Sequence, residues 1–159
     1  MTSPTSLVAT LEARGLTIAV AESLTGGLLV AELISVPGAS AVVLGGVVAY
    51  NSELKHSVLG VDSVLLAGHG AVHPDVAAQM ATGVRVALAT AAGPAHIGIS
   101  TTGVAGPDPQ DGQPVGTVYL GFAVGESIHT KQLSLAGTRA QIRAAAVDES
   151  LRELARLLE

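Results

Sequence analysis

The chain has 159 residues, enough for one domain with a sizeable core, and combines 48% apolar side chains with 13% charged ones and a formal net charge of −5. Aromatics are only 2% and no basic cluster is present, so the stacking platforms and phosphate-tracking grooves of nucleic-acid binders are excluded. There is no cysteine, which excludes thiol catalysis, disulfides and thiolate metal sites.

The mean hydropathy is high, +0.53. The longest apolar run, Ala39 to Tyr50, is nevertheless interrupted by Ser40 and Gly45-Gly46, short of the ~18–20 residues that cross a bilayer, so no membrane partner is expected. The surplus of Ala, Val, Leu and Gly suits strands buried on both faces beneath Ala-rich helices. The shortage of polar side chains predicts an apolar subunit interface and hence a homo-oligomer. Met1 to Thr10 lacks the basic start and long apolar core of a signal peptide, so a cytoplasmic location is expected.

In chain order, Pro4 to Arg14 reads as a helix closed by Gly15. Leu16 to Val20 reads as a strand, Thr25 to Ser35 as a helix stopped by Pro37-Gly38, and Ala41 to Tyr50 as a buried strand. Glu53 to Leu59 fits a short helix ending at Gly60; Val61 to Ala67 is ambiguous, with another short helix as one reading. Pro74 opens a long helix to about Ala92, closed by Gly93-Pro94. Ala95 to Thr101 reads as a strand, and Gly103 to Gly116, with four Gly and three Pro, as a loop. Val115 to Val124 and Ser127 to Leu135 form a hairpin around Gly125-Glu126, and Thr138 caps a last helix to about Leu158. Interleaved helices and strands predict an α/β fold, a three-layer α/β/α sandwich with a mixed, mostly parallel central sheet.

Three predicted strand ends carry unusual residues, and ligands of open α/β sheets gather at such ends. The first is Glu22-Ser23-Leu24-Thr25-Gly26-Gly27, where a strand turns sharply into a helix. The two glycines allow close backbone approach, which suits a nucleophile beside an oxyanion hole or a phosphate cradle; the plain alternative is a turn with Ser23 or Thr25 as N-cap. The second is Tyr50 to Lys55 and the third Thr101 to Pro107. Parallel strands would bring all three to one pocket.

Lys55 is one of two lysines. Paired with Ser23 it would make the Ser–Lys form of an activated nucleophile, provided that burial or a neighbouring cation brings its pKa from ~10.4 to ~7–8. Tyr50 offers a hydroxyl that relays a proton or orients Lys55; its alternative is packing at a strand end. Thr102 and Gly103 could donate hydrogen bonds to a ligand. Arg139 and Arg143 share one face of the last helix and could hold a phosphate or carboxylate. Five histidines form no ligand set, and His69 and His73 are separated by Gly70, so no metal site is expected. There is no G-x-G-x-x-G, P-loop or G-x-S-x-G.

Five ordered segments cover nearly the whole chain and resemble one family: AESLTGG (Ala21 to Gly27), VVAYNSELKHSVLGV (Val47 to Val61), GAVHPDVAAQMATGV (Gly70 to Val84), TGVAGPDPQDGQPVGTVYLG (Thr102 to Gly121) and GTRAQIR (Gly137 to Arg143). The family is the CinA C-terminal domain, the nicotinamide-nucleotide amidohydrolases, and the chain resembles its stand-alone form, a single domain over residues 1–159. The resemblance implies hydrolysis of the carboxamide of nicotinamide mononucleotide to nicotinate mononucleotide and ammonia, a step in pyridine-nucleotide salvage, without metal or other cofactor. It implies Ser23 as nucleophile, Lys55 as base and Tyr50 as a neighbouring hydroxyl. Thr25, Gly26 and Gly27 would line the oxyanion or phosphate subsite, Thr102 and Gly103 the opposite wall, and Arg139 would serve phosphate or structural charge pairing. One departure stands out: Asp108-Pro109-Gln110 replaces the glycine run common after Gly-Pro, which would reshape the pocket mouth. Two other readings stay open on the sequence: a nucleotide-binding or regulatory module without turnover, and an amidohydrolase acting on another small amide.

Overall fold

Helices begin where the sequence supplies a cap, because the first turn leaves backbone N–H groups without partners. The computed structural model describes residues 3–159. Ser3 and Ser6 cap each other reciprocally and Pro4 opens α1 (Pro4–Ala13). The side chains of Asn51, Asp62 and His73 cap α3 (Ser52–Ser57), α4 (Ser63–His69) and α5 (Pro74–Ala87). Thr138 and Gln141 form a capping box at α6 (Arg139–Leu157). The remaining helix, α2 (Leu28–Ile34), has no side-chain cap from its N-cap residue, Gly27. The strands are β1 (Ile18–Glu22), β2 (Val43–Val48), β3 (Ile97–Gly103), β4 (Thr117–Val124) and β5 (Ser127–Ser134).

Several boundaries differ from those expected of the sequence. β1 begins later and runs on to Glu22, because its pairing with Val48 of β2 and Thr101 of β3 carries it there. The turn after it has Gly26 and Gly27 at φ 59° and 99°, so α2 starts at Leu28 and not at Thr25. Ala39–Ala41 forms a 3-10 turn ahead of β2. The ambiguous stretch after Gly60 is helical, as α4. α5 stops at Ala87, short of Ala92: Thr90 and Gly93 bond each other in a tight turn, and Arg85 Nε and Nη1 donate to Ala95 O and Gly125 O at 2.7 and 2.8 Å.

The five strands form one sheet in the order β2-β1-β3-β4-β5. β1 is parallel to both β2 and β3, while β3–β4 and β4–β5 are antiparallel. Four strands therefore run one way and β4 the other, with helices on both faces: the expected three-layer α/β/α sandwich. One face presents large residues, among them Ile18, Val20, Ile97, Ile99, Leu120 and Phe122, which pack with α1, α2 and α6. The other face is built from small residues. A Cβ at Gly98 or Gly121 would meet the backbone oxygens of Ala81 and Ala77 in α5 at 1.9 and 2.2 Å, and Ser100 Oγ donates to Ala77 O at 2.6 Å. α5 thus lies with its backbone against the sheet.

The chain leaves β1 through α2 on one face to reach β2, then returns through α3, α4 and α5 on the other face to β3, on the far side of β1. Such divergence of crossovers opens a crevice beyond the carboxyl ends of the strands. Among the described residues no helix is long and apolar enough to cross a membrane.

Candidate active site

The crevice is built from the three strand ends. Ser23 follows β1, Ala49 and Tyr50 follow β2, and Thr102 and Gly103 end β3. Parallel pairing sets these ends side by side, and the α3 cap at Asn51 starts a helix that returns Lys55 toward the sheet. The cavity holds about 190 Å3, and Ser23, Tyr50, Lys55, Thr102, Gly103 and Arg139 all line it. Most of the residues that the sequence singles out for the site therefore meet in one place.

Lys55 is 1% exposed and Ser23 8%. The Lys55 Nζ lies 2.9 Å from Ser23 Oγ and donates to Ala49 O at 2.7 Å and Tyr50 O at 3.4 Å. Burial lowers the amine's pKa from 10.5 to about 8, against the negative charge of Asp111, which raises it. A neutral amine in this geometry still donates to Ala49 O and turns its lone pair to the serine hydroxyl. Proximity and a depressed pKa together are what a serine needs to become a nucleophile.

Ser23 itself is held through its backbone. Its N–H donates to Thr101 O at 3.1 Å, so that amide is unavailable to a ligand. The next amide, Leu24 N–H, donates to no acceptor among the described residues, and Leu24 lines the cavity. Two residues outside the expected site secure the turn. Glu22 is fully buried, and its carboxylate accepts from the N–H groups of Leu29 and Val30 at 2.8 and 3.1 Å, supplying the cap that Gly27 lacks. Its signal in the sequence is a carboxylate ending an otherwise apolar strand. Arg143, a possible anion binder on the sequence, instead donates from Nε to Leu24 O at 2.8 Å and from Nη2 to Thr25 O at 3.3 Å.

Thr25, Gly26 and Gly27 do not line the cavity. Thr25 is buried, with its hydroxyl 2.7 Å from that of Thr101. Gly26 faces Arg143 and Gly27 faces Val48. The anion cradle expected at this helix start is already filled by the Glu22 carboxylate. Tyr50 also differs from expectation: it is its backbone carbonyl that contacts Lys55, while its phenol, on a side chain 60% exposed, accepts from Arg139 Nη2 at 3.1 Å. Arg139 Nη1 donates to Gly106 O at 2.7 Å, which sets the guanidinium on the rim beside Asp108 and Gln110. Thr102 Oγ1 donates to Ala71 O at 2.7 Å, so toward a ligand its hydroxyl can only accept.

Among the described residues no group of three His, Asp or Glu is arranged to hold a metal. His69 and His73 stack with ring centroids 4.8 Å apart, and His73 Nδ1 is occupied in capping α5.

Both the sequence and the fold that carry this site have relatives. The CinA C-terminal domain family model matches residues 2–158. A CinA-like protein of Frankia casuarinae is 50% identical over 145 residues, covering 91% of this chain and 32% of that protein; the chain spans about a third of the length of the curated relatives it matches. The crystal structure of a CinA superfamily protein from Escherichia coli superposes with a TM-score of 0.90 at 32% identity, covering 97% of this chain and 87% of that one. One from Klebsiella pneumoniae gives 0.90 at 34% identity, covering 98% and 94%. Family model, sequence identity and superposition agree over nearly all of these residues, and the chain belongs to the CinA C-terminal domain family.

Proposed function

We propose that this chain hydrolyses the carboxamide of nicotinamide mononucleotide to nicotinate mononucleotide and ammonia, with Ser23 as nucleophile and Lys55 as general base. The observation that carries the reading is the buried Lys55 amine 2.9 Å from the Ser23 hydroxyl. With a pKa of about 8, roughly one amine in ten is neutral at pH 7.

Neutral Lys55 takes the Ser23 proton as Oγ attacks the amide carbon. The negative charge that develops on the amide oxygen needs a preorganised donor, and the unengaged N–H of Leu24 is the one nearest in chain to the nucleophile. The Lys55 ammonium then protonates the departing nitrogen, the C–N bond breaks, and ammonia leaves. A water, deprotonated by the regenerated amine, attacks the acyl-enzyme; Ser23 takes its proton back and the carboxylate product is released. Atoms balance as amide plus water giving acid plus ammonia.

The cavity is smaller than the ~300–1,000 Å3 that encloses a whole drug-sized ligand, which suits capture of the carboxamide end with the sugar phosphate at the mouth. Arg139 on the rim supplies a cation for the phosphate. The test is ammonia release from nicotinamide mononucleotide by the purified protein. Wild-type turnover with a loss of about 10^3-fold or more in both Ser23→Ala and Lys55→Ala is expected. No wild-type release, despite thermal stabilisation by the nucleotide, would reject this reading in favour of a binding module; release from other small amides only would redirect the substrate.

A further inference from the structure

The loop between β3 and β4 departs from the family's glycine run, and its tip reaches back to the segment before α5. Gln110 and Gln113 bond each other's backbones at 3.1 and 2.8 Å. Between them Asp111 and Gly112 both adopt left-handed backbone, φ 52° and 74°, the two-residue turn that an Asp-Gly pair favours. Asp111 is the only described non-glycine residue with positive φ. The turn carries its carboxylate to the segment before α5: Oδ2 accepts from Ala71 N–H at 3.1 Å, and at 3.4 Å from Gln110 Nε2 of the loop itself. Gly70 makes room for it, since a Cβ there would lie 2.4 Å from Asp111 Cγ. Ala71 in turn lines the cavity and receives the Thr102 hydroxyl. The other end of the loop is held by Arg139 on Gly106 O, and Asp108 and Gln110 between these two anchors line the cavity mouth.

We propose that Asp111 is a positioning residue: it latches the 106–114 loop onto Ala71 as the outer wall of the cavity. The consequence for turnover rests on the Ser23–Lys55 reading above. Tyr50, Asp108 and Arg139 line the same cavity as Lys55, and Glu53 and His56 lie on its own helix. His56 is engaged with Val61 O at 2.7 Å. The Asp111 carboxylate also raises the Lys55 pKa, against the larger lowering by burial. The residue therefore couples closure of the wall to the proton inventory of the base.

Two substitutions separate the latch from the charge. Asp111→Asn keeps an oxygen for Ala71 N–H and tolerates left-handed backbone but removes the charge. Asp111→Gly removes the contact altogether and keeps the backbone unstrained. The Lys55 titration is read directly by carbon NMR of labelled lysine side chains; the chain has only two lysines, and Lys131→Arg assigns the signals. In Asp111→Asn the Lys55 midpoint and the rising limb of the pH–kcat/KM profile move together to lower pH, with KM on the plateau unchanged. In Asp111→Gly the same shift is joined by a KM, or a nucleotide Kd by calorimetry, raised roughly tenfold. An unmoved Lys55 midpoint in Asp111→Asn overturns the electrostatic role. Unchanged KM and Kd in Asp111→Gly overturn the latch. The titration needs no substrate, so a wild type without ammonia release would remove the amidohydrolase reading while the Lys55 midpoint still decides the role of Asp111.

Discussion

Lys55 concentrates both the proposed chemistry and the thermodynamic consequence of its burial. Its amine is buried and bonded to two backbone carbonyls and one serine, and burial lowers its pKa from 10.5 to about 8. Below pH 8 the amine is charged in both folded and unfolded chains, and the full desolvation penalty opposes folding. Between about pH 8 and 10.5 the unfolded chain holds the proton that the folded one has released, so stability contributed at this site rises with pH. Wild-type unfolding free energy, compared with Lys55→Met by urea titration, should therefore gain on the order of 3 kcal/mol across that window. A difference that is flat with pH would show that Lys55 is not depressed. Activity should rise as the pH passes about 8 and level off above it, because only the neutral amine can accept the serine proton. The pairing of a rare lysine with a strand-end serine was legible in the sequence. The contribution of Tyr50 was not, because the sequence does not say whether its hydroxyl or its carbonyl faces the amine.

At the scale of elements, the site depends on how closely α5 and the sheet approach. Gly98 and Gly121 let the α5 backbone touch the strands, and Ser100 and Thr102 bond α5 and the segment before it. Gly121→Ala would place a methyl 2.2 Å from Ala77 O and 2.5 Å from Ser100 Oγ. It should lower stability by roughly 2–4 kcal/mol, while Ile128→Ala, on a side chain 55% exposed, should stay within about 1 kcal/mol. Equal losses in a denaturant series would contradict this packing argument. On the opposite face α6 is tied to β5 through Lys131, which donates to Glu149 and Glu153 at 3.3 and 3.0 Å. It is tied to the turn after Ser23 through Arg143. The strand-to-helix turn was legible from Ser23-Leu24-Thr25-Gly26-Gly27, but its occupant was not. Glu22 lies on the same side of β1 as Val20, beyond the predicted strand end, and only its burial beside α2 reveals that the helix start is already satisfied.

For the whole molecule, the composition argument finds a counterpart in large apolar side chains left more than 40% exposed, Val64, Val86 and Ile34 among them. We propose that such residues contribute to self-association. Sedimentation equilibrium should give a multiple of 15.8 kDa, and a monomeric mass would retire the expectation. Catalysis that relies on a serine, a lysine and backbone donors should survive prolonged treatment with a chelator, measured as ammonia release; loss of activity restored by a divalent ion would require a metal in the scheme.

What the sequence alone determined was the alternation of helices and strands and the sandwich class, and it singled out Ser23 and Lys55 as candidates. These follow from local periodicity, caps and residue rarity, which short-range interactions enforce. What tertiary structure decided was which polar groups are already spent. Glu22 fills the α2 amides, Thr101 takes the Ser23 N–H, Thr102 donates to Ala71 O, and Asp111 reaches 40 residues back to Ala71 N–H. Apart from Glu22 and Leu29, seven residues apart, these partners lie 31 to 78 residues away in sequence and are chosen by strand order and packing distance. Neither leaves a mark in any local stretch of the chain.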